Sequence, residues 1–134
     1  MIGRTFVALV LLLVLAMPLG AASSPPVTID GVSDDETYGY HESNPIKCGG
    51  GPSGEREYLS LLRGPNDEPV RFSRDGSCCG FETPNGILGG GMLDIYSVWI
   101  GDQPEPVKLY LNMYDYEQPK APKGFTYTTP LSRK

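Results

Sequence analysis

The amino-acid sequence predicts an α+β domain: a small antiparallel β-sheet of three or more strands with one helix packed on it, rich in loops. Three stretches carry that expectation. "VKLYLNM" alternates strictly, placing Val107, Leu109, Leu111 and Met113 on one face and Lys108, Tyr110, Asn112 and the following Tyr114 on the other. Successive side chains of a strand point to opposite faces, so this is a strand with one face in a core. "MLDIYSVWI", Met92 to Ile100, is apolar on both faces and reads as a central strand, joined to the first by the turn "GDQPEP" as an antiparallel hairpin. Between Glu55 and Arg63 the chain opens on acidic residues, gathers Tyr58, Leu59 and Leu62 on one helical face, and closes on Arg63-Gly64-Pro65. Those are helix stop signals, and the helix is preferred, although "YLSLL" also suits a strand. A further strand is expected in "EPVRFSRDG", with Val70 and Phe72 on one side and Arg71 and Ser73 on the other. One helix laid across such a sheet is the two-layer solution open to a short chain.

The N-terminus says where the chain works. One positive charge, Arg4, precedes an unbroken apolar run from Phe6 to Met17, and Pro18 and Gly20 end it. Gly20-Ala21-Ala22 supplies the small residues of a signal-peptidase site, so residues 1–22 read as a signal peptide. The run falls short of the roughly 20 residues a membrane span needs, and no membrane span is expected in the mature chain. The protein is therefore expected to be exported, periplasmic or secreted. Residues 23–37, with Ser-Ser-Pro-Pro and an acidic cluster, read as a flexible N-terminal segment or a loose first strand, and 38–134 as a single α+β domain. Loss of Arg4 with the leader leaves ten Lys and Arg, scattered singly, against sixteen Asp and Glu. Such an acidic chain repels phosphate backbones, which excludes nucleic acid as a partner.

The chemistry-bearing residues are few. Cys48, Cys78 and Cys79 are the three cysteines, and in an oxidising compartment free thiols are at risk. Neighbouring residues have Cα atoms only about 3.8 Å apart, below the usual disulfide span, so a bridge between Cys78 and Cys79 is expected to be strained and easily reduced. The favoured pairing runs from Cys48 to one of them, leaving one thiol over. It closes a loop of roughly thirty residues around the helix, stabilising by about 3 to 4 kcal/mol on chain-entropy grounds. Two alternatives stand beside it. One is a vicinal disulfide as a redox element. The other is a soft-metal site for Cu(I) or Zn(II) on the three cysteines, with His41, the sole histidine, as a weak fourth candidate; it lacks the C-x-x-C spacing of a strong metal signature. Gly89 to Gly91 precede a strand and read as a close-packed turn or hinge, and Gly49 to Gly51 lead into the helix.

The runs "YGYHESNPIKCGGG", "GPNDEPVRFSRDGSCCGFETPNG", "LDIYSVWIG" and "LYLNMYDYEQPKAPKGF" together resemble a family of small exported bacterial proteins of unknown function. Its members often carry the label 2-dehydro-3-deoxyphosphooctonate aldolase, so the resemblance implies an aldolase-type activity. That chemistry is hosted by a (β/α)8 barrel of about 250 residues, which so short a chain has no room for.

No nucleophile or metal motif surrounds the single histidine, and no catalytic residues and no cofactor are assigned. Asp94 and Asp115 could be drawn together at the ends of the hairpin, although such residues are usually solvated in turns. Eight tyrosines remain, and Tyr110, Tyr114 and Tyr116 form the candidate ligand surface. Tyrosine offers flat apolar area and a hydroxyl at small entropic cost. The sequence thus points to an exported binding or interaction module whose partner is a protein, peptide or glycan of the cell envelope. Thiol redox or soft-metal chemistry at Cys78 and Cys79 is the alternative. If the leader reading holds, N-terminal sequencing of the exported protein finds Ser23 or a close neighbour first; a chain recovered from the envelope with Met1 retained contradicts it.

Overall fold

The computed structural model describes residues 25–130. It has the expected α+β architecture, with a mixed four-stranded sheet in the order β1 (Ile46–Lys47), β5 (Val107–Asn112), β4 (Gly90–Ile100), β3 (Val70–Ile87). One helix, α1 (Gly51–Leu61), accompanies it, and β2 (Leu62–Arg63) and β6 (Thr126–Tyr127) form a separate two-stranded sheet. The expected hairpin is β4 and β5, antiparallel, with Asp94 opposite Leu111, Tyr96 opposite Leu109 and Val98 opposite Val107. Paired residues of a sheet share a face. That face meets Tyr58 and Leu59 of α1, Ile46 of β1 and Leu62 of β2 in one core, where Leu109 and Leu111 are fully buried.

Several expected boundaries move, each for a local reason. The helix begins at Gly51, one turn before Glu55, because Gly49, Gly50 and Gly51 all have left-handed backbone (φ 60, 70 and 65°). Only glycine adopts that conformation at three successive positions without steric cost, and Pro52 then starts the helix. Glu55 is consequently not a solvated first-turn acid but a buried residue. At the other end Leu62 leaves the helix at φ −70°, ψ 145° to pair with Tyr127, so the last two residues of the expected helix are strand. Asn112, expected on the solvent face, is buried. Its Oδ1 accepts the backbone N–H groups of Tyr114 (2.9 Å) and Asp115 (3.0 Å), turning the chain out of β5 before Met113.

The segment read as flexible over 23–37 is, from residue 25 on, laid against the domain. Ile29 joins the core, and the Ser33 N–H donates to Ala121 O at 2.9 Å. The ordered body therefore starts before Tyr38. The proposed leader, 1–22, lies outside the described residues.

Where α1 meets the sheet, two carboxyl groups face each other under cover. Glu55 of α1 is fully buried and Asp94 of β4 nearly so. Asp94 Oδ1 accepts from the Arg74 guanidinium (3.0 Å) and the Ser77 hydroxyl (3.1 Å), while the Tyr96 hydroxyl donates to Glu55 Oε1 (3.4 Å). Two like charges this close in low dielectric cannot both persist. Asp94 holds the charge: Arg74, Glu55 and Ser77 donate hydrogen bonds to it, and they outweigh its desolvation to leave its carboxyl below the usual range. Burial, then the neighbouring Asp94, push Glu55 up to about 9, so it keeps its proton and donates it in a hydrogen bond to the charged Asp94. That accounts for Glu55 Oε2, which finds no donor among the described residues.

Two measurements check this core. Leu109→Ala or Leu111→Ala should each cost about 2 to 5 kcal/mol in denaturant unfolding, since each empties a fully buried site; unchanged unfolding would mean the face assignment is wrong. Glu55 binds a proton more tightly folded than unfolded, so its contribution is complete below its ordinary value of 4.5 and declines as pH rises towards about 9. Asp94 loses its contribution only at more acidic pH, and Cys48 and Tyr96 titrate above this window. Stability should therefore fall from pH 5 to pH 8 by up to about 1.4 kcal/mol per unit, and Glu55→Gln should flatten the slope. Equal slopes in parent and variant contradict a protonated Glu55.

Candidate functional site

Strand β3 runs well past "EPVRFSRDG", straight through the cysteines. It pairs with β4 from Val70 opposite Ile100 to Phe81 opposite Gly91, with register shifts between Arg74 and Gly76, between Cys78 and Gly80, and between Glu82 and Ile87. Each shift cancels the alternation by which a strand is recognised. At the second, Cys78 lies opposite Leu93 and Gly80 opposite Met92, which leaves Cys79 as the extra residue, at φ 61°. Neighbours in a regular strand project to opposite faces; the extra residue brings both sulfurs to one side. A non-glycine residue in that region costs on the order of 1–3 kcal/mol and persists only where its surroundings impose it. Here the paired residues on either side impose it.

Cys78 and Cys79 are bonded to each other, with Cα atoms 3.7 Å apart, and Cys48 is a free, buried thiol. The expected long-range bridge from Cys48 is therefore corrected. Cys48 sits inside the core and its Sγ donates to Asn112 O at 3.6 Å, away from β3. Burial, then the nearby Glu55, push its thiol far up, so it is a packed, protonated side chain with no reactive character.

Beside the pair opens a cleft of about 430 Å³. Cys79, Phe81, Glu82 and Leu93 line it from the β3–β4 ladder, Glu42 and Pro45 from the segment leading into β1, Lys47 from β1 itself, and Asn112 and Asp115 from the end of β5 and beyond. Glu42 Oε2 is 2.9 Å from Cys79 Sγ. In the bonded pair that sulfur carries no proton and the approach is a contact; in a reduced pair the thiol donates to the carboxylate. Asp115 accepts from the Thr83 hydroxyl (2.5 Å) and from Asn112 Nδ2 and Asn85 Nδ2 (3.0 Å each), which hold its carboxyl below the usual range. Lys47 is the cation in the lining, and it pairs with Glu117 at 3.7 Å.

The other candidates are distributed differently. His41 is exposed in a turn and stands outside the cluster of Glu42, Cys78 and Cys79, whose ligand atoms all lie within 4.8 Å of one another. Cys48 is outside it too. The three tyrosines have separate partners. The Tyr110 N–H donates to Gly39 O at 2.8 Å, Tyr114 packs edge-on against Phe81 with centroids 5.9 Å apart, and the exposed Tyr116 donates its hydroxyl to Gln118 (3.2 Å). A Cβ on Gly91 would lie 2.8 Å from the Tyr114 ring, which bears out the close-packed reading of that glycine. Asp94 and Asp115 do not form a pair; the buried partner of Asp94 is Glu55. Sequence reasoning missed Glu42, a lone exposed acid in a turn, which carries no pattern of its own.

Among the described residues no helix is long and apolar enough to cross a membrane. Compared with protein-family models, with curated proteins and with solved structures, the chain matches none of them.

Proposed function

We propose that this chain is a small exported binding module and that its ligand site is the cleft beside Cys79, with a cationic segment of an envelope protein or peptide as its occupant. The observation that carries this reading is the lining itself. Glu42, Glu82 and Asp115 face the opening against one lysine already engaged by Glu117, so the cleft is an anionic trough. Phe81, partly exposed and backed by the buried Leu93, gives it an apolar wall on which the stem of a Lys or Arg side chain can lie while its charged head meets the carboxylates. A bonded vicinal pair suits an oxidising compartment, which supports the exported reading of the leader.

Thiol exchange is the second reading, favoured because Cys79 lines an open cleft. Its surroundings weigh against it. An attacking thiolate is lowered in pKa by neighbouring cations, and the group against Cys79 is the carboxylate of Glu42. The aldolase-type activity implied by the resemblance draws no support from the one helix and four-stranded sheet of the described residues.

The test uses the oxidised protein with short lysine- or arginine-bearing peptides, matched neutral peptides and neutral oligosaccharides, followed by NMR titration. Cationic peptides should perturb Phe81 and Leu93 and weaken steeply with salt, as screening of exposed charges requires. The double variant Glu42→Gln, Glu82→Gln should bind them about tenfold more weakly, equivalent to about 1.4 kcal/mol. Binding confined to neutral oligosaccharides, or unaffected by the double variant, contradicts the proposal.

A further inference from the structure

The juxtaposition of Cys78, Cys79 and Glu42 has a chemistry of its own once the sulfur–sulfur bond is opened. We propose that, after reduction by a dithiol, these three residues form a binding site for a divalent thiophilic cation of the zinc class. The proposal stands independently of the cationic-peptide reading, which concerns the oxidised cleft.

The backbone argues for it first. Adjacent cysteines in a regular strand cannot share a ligand, since their side chains leave opposite faces. The bulge at Cys79 removes that obstacle. It is held by the pairings of Cys78 with Leu93 and Gly80 with Met92, which do not involve the sulfurs. With the bulge kept, the two thiols lie on one side of β3, and Cys79 lines an open cleft.

The third ligand comes from elsewhere in the chain. Glu42 lies 37 residues before Cys79, yet the three ligand atoms fall within 4.8 Å of one another. Tetrahedral zinc, with Zn–S of about 2.3 Å and Zn–O of about 2.1 Å, sets two sulfurs about 3.8 Å apart and a carboxylate oxygen about 3.5 Å from each. The cluster reaches that size by rotation of the freed side chains. Three protein ligands leave a fourth position open towards the cleft, the arrangement of an accessible rather than a sealed site.

The ligand chemistry selects the cation. Two thiolates and a carboxylate carry three negative charges, which a divalent ion offsets better than a monovalent one. A carboxylate beside two thiolates suits borderline Zn(II) or Cd(II) over soft Cu(I). The carboxylate beside the two sulfurs is thus the third ligand such a cation takes.

The steps balance. The disulfide takes two electrons and two protons from the dithiol, which departs as its own disulfide, leaving Cys78 and Cys79 as thiols. Cation entry then forms two metal–sulfur bonds and releases both protons to solvent, and a Glu42 oxygen completes the set.

Cadmium titration of the full chain, reduced with a phosphine under inert gas, tests this through thiolate-to-metal charge-transfer absorption and proton release. The reduced parent should take up one Cd(II) per chain with two protons released, and the oxidised protein should show no band. Glu42→Gln should bind Cd(II) about tenfold or more weakly, Cys78→Ser should lose the band, and Cys48→Ser should match the parent. Should Cys78→Ser fail to fold, alkylating the reduced pair in the parent must abolish the band instead. The proposal is overturned by absence of a band in the reduced parent, by unchanged affinity in Glu42→Gln, or by loss of the band in Cys48→Ser.

Discussion

The extra residue at Cys79 in the β3–β4 ladder is the constraint on which the functional face depends. Without it, Cys78 and Cys79 would project to opposite faces, and only one could stand near Glu42. With it, both sulfurs lie on one side of strand β3, Cys79 lines the cleft, and pairing resumes at Gly80, so that Phe81 reaches the same lining. A left-handed cysteine is unfavourable locally, and the long pairing with β4 on both sides outweighs that cost.

The opposite face of the sheet is fixed by a different device. Asp94, on the core face of β4, is carried into the interior by the same strand that carries Leu93 to the cleft. Its charge is tolerated because Arg74 and Ser77 reach it from β3, and because Glu55 of α1 arrives protonated. A buried polar network of this kind adds little net stability, but it is costly to misalign, since a displaced partner leaves an uncompensated charge. It ties the helix to one register over the sheet. Arg74 and Ser77 lie on either side of the first bulge of β3, so the two faces are joined through one strand.

What the sequence made legible follows from which regularities survive in it. The β4–β5 hairpin was readable because Val107, Leu109 and Leu111 keep strict alternation, and the α+β class followed from that and one helical stretch. The second half of β3 was not readable, because three register shifts erase the period of two within it. The start of α1 was hidden by three left-handed glycines, which read as a loop until their φ values are known. Cys48 was expected to bridge because spacing alone says nothing of burial, and it is the core position of Cys48 that separates it from the other two. Glu42 joins the site through tertiary placement alone, so no local pattern announces it. Tyr110, Tyr114 and Tyr116 lie close in the chain, but a turn held by Asn112 gives them different neighbours.

The central claim is that the bulge makes Cys78 and Cys79 a pair and leaves Cys48 alone. Peptide mapping of the unreduced protein, alkylated once folded and once in denaturant, tests it most directly. The account predicts that no cysteine is labelled in the folded protein and that Cys48 alone is labelled after unfolding. Cys78 and Cys79 should remain in one peptide lighter by two hydrogens until reductant is added. A peptide joining Cys48 to either neighbour, or three cysteines labelled without reductant, contradicts it.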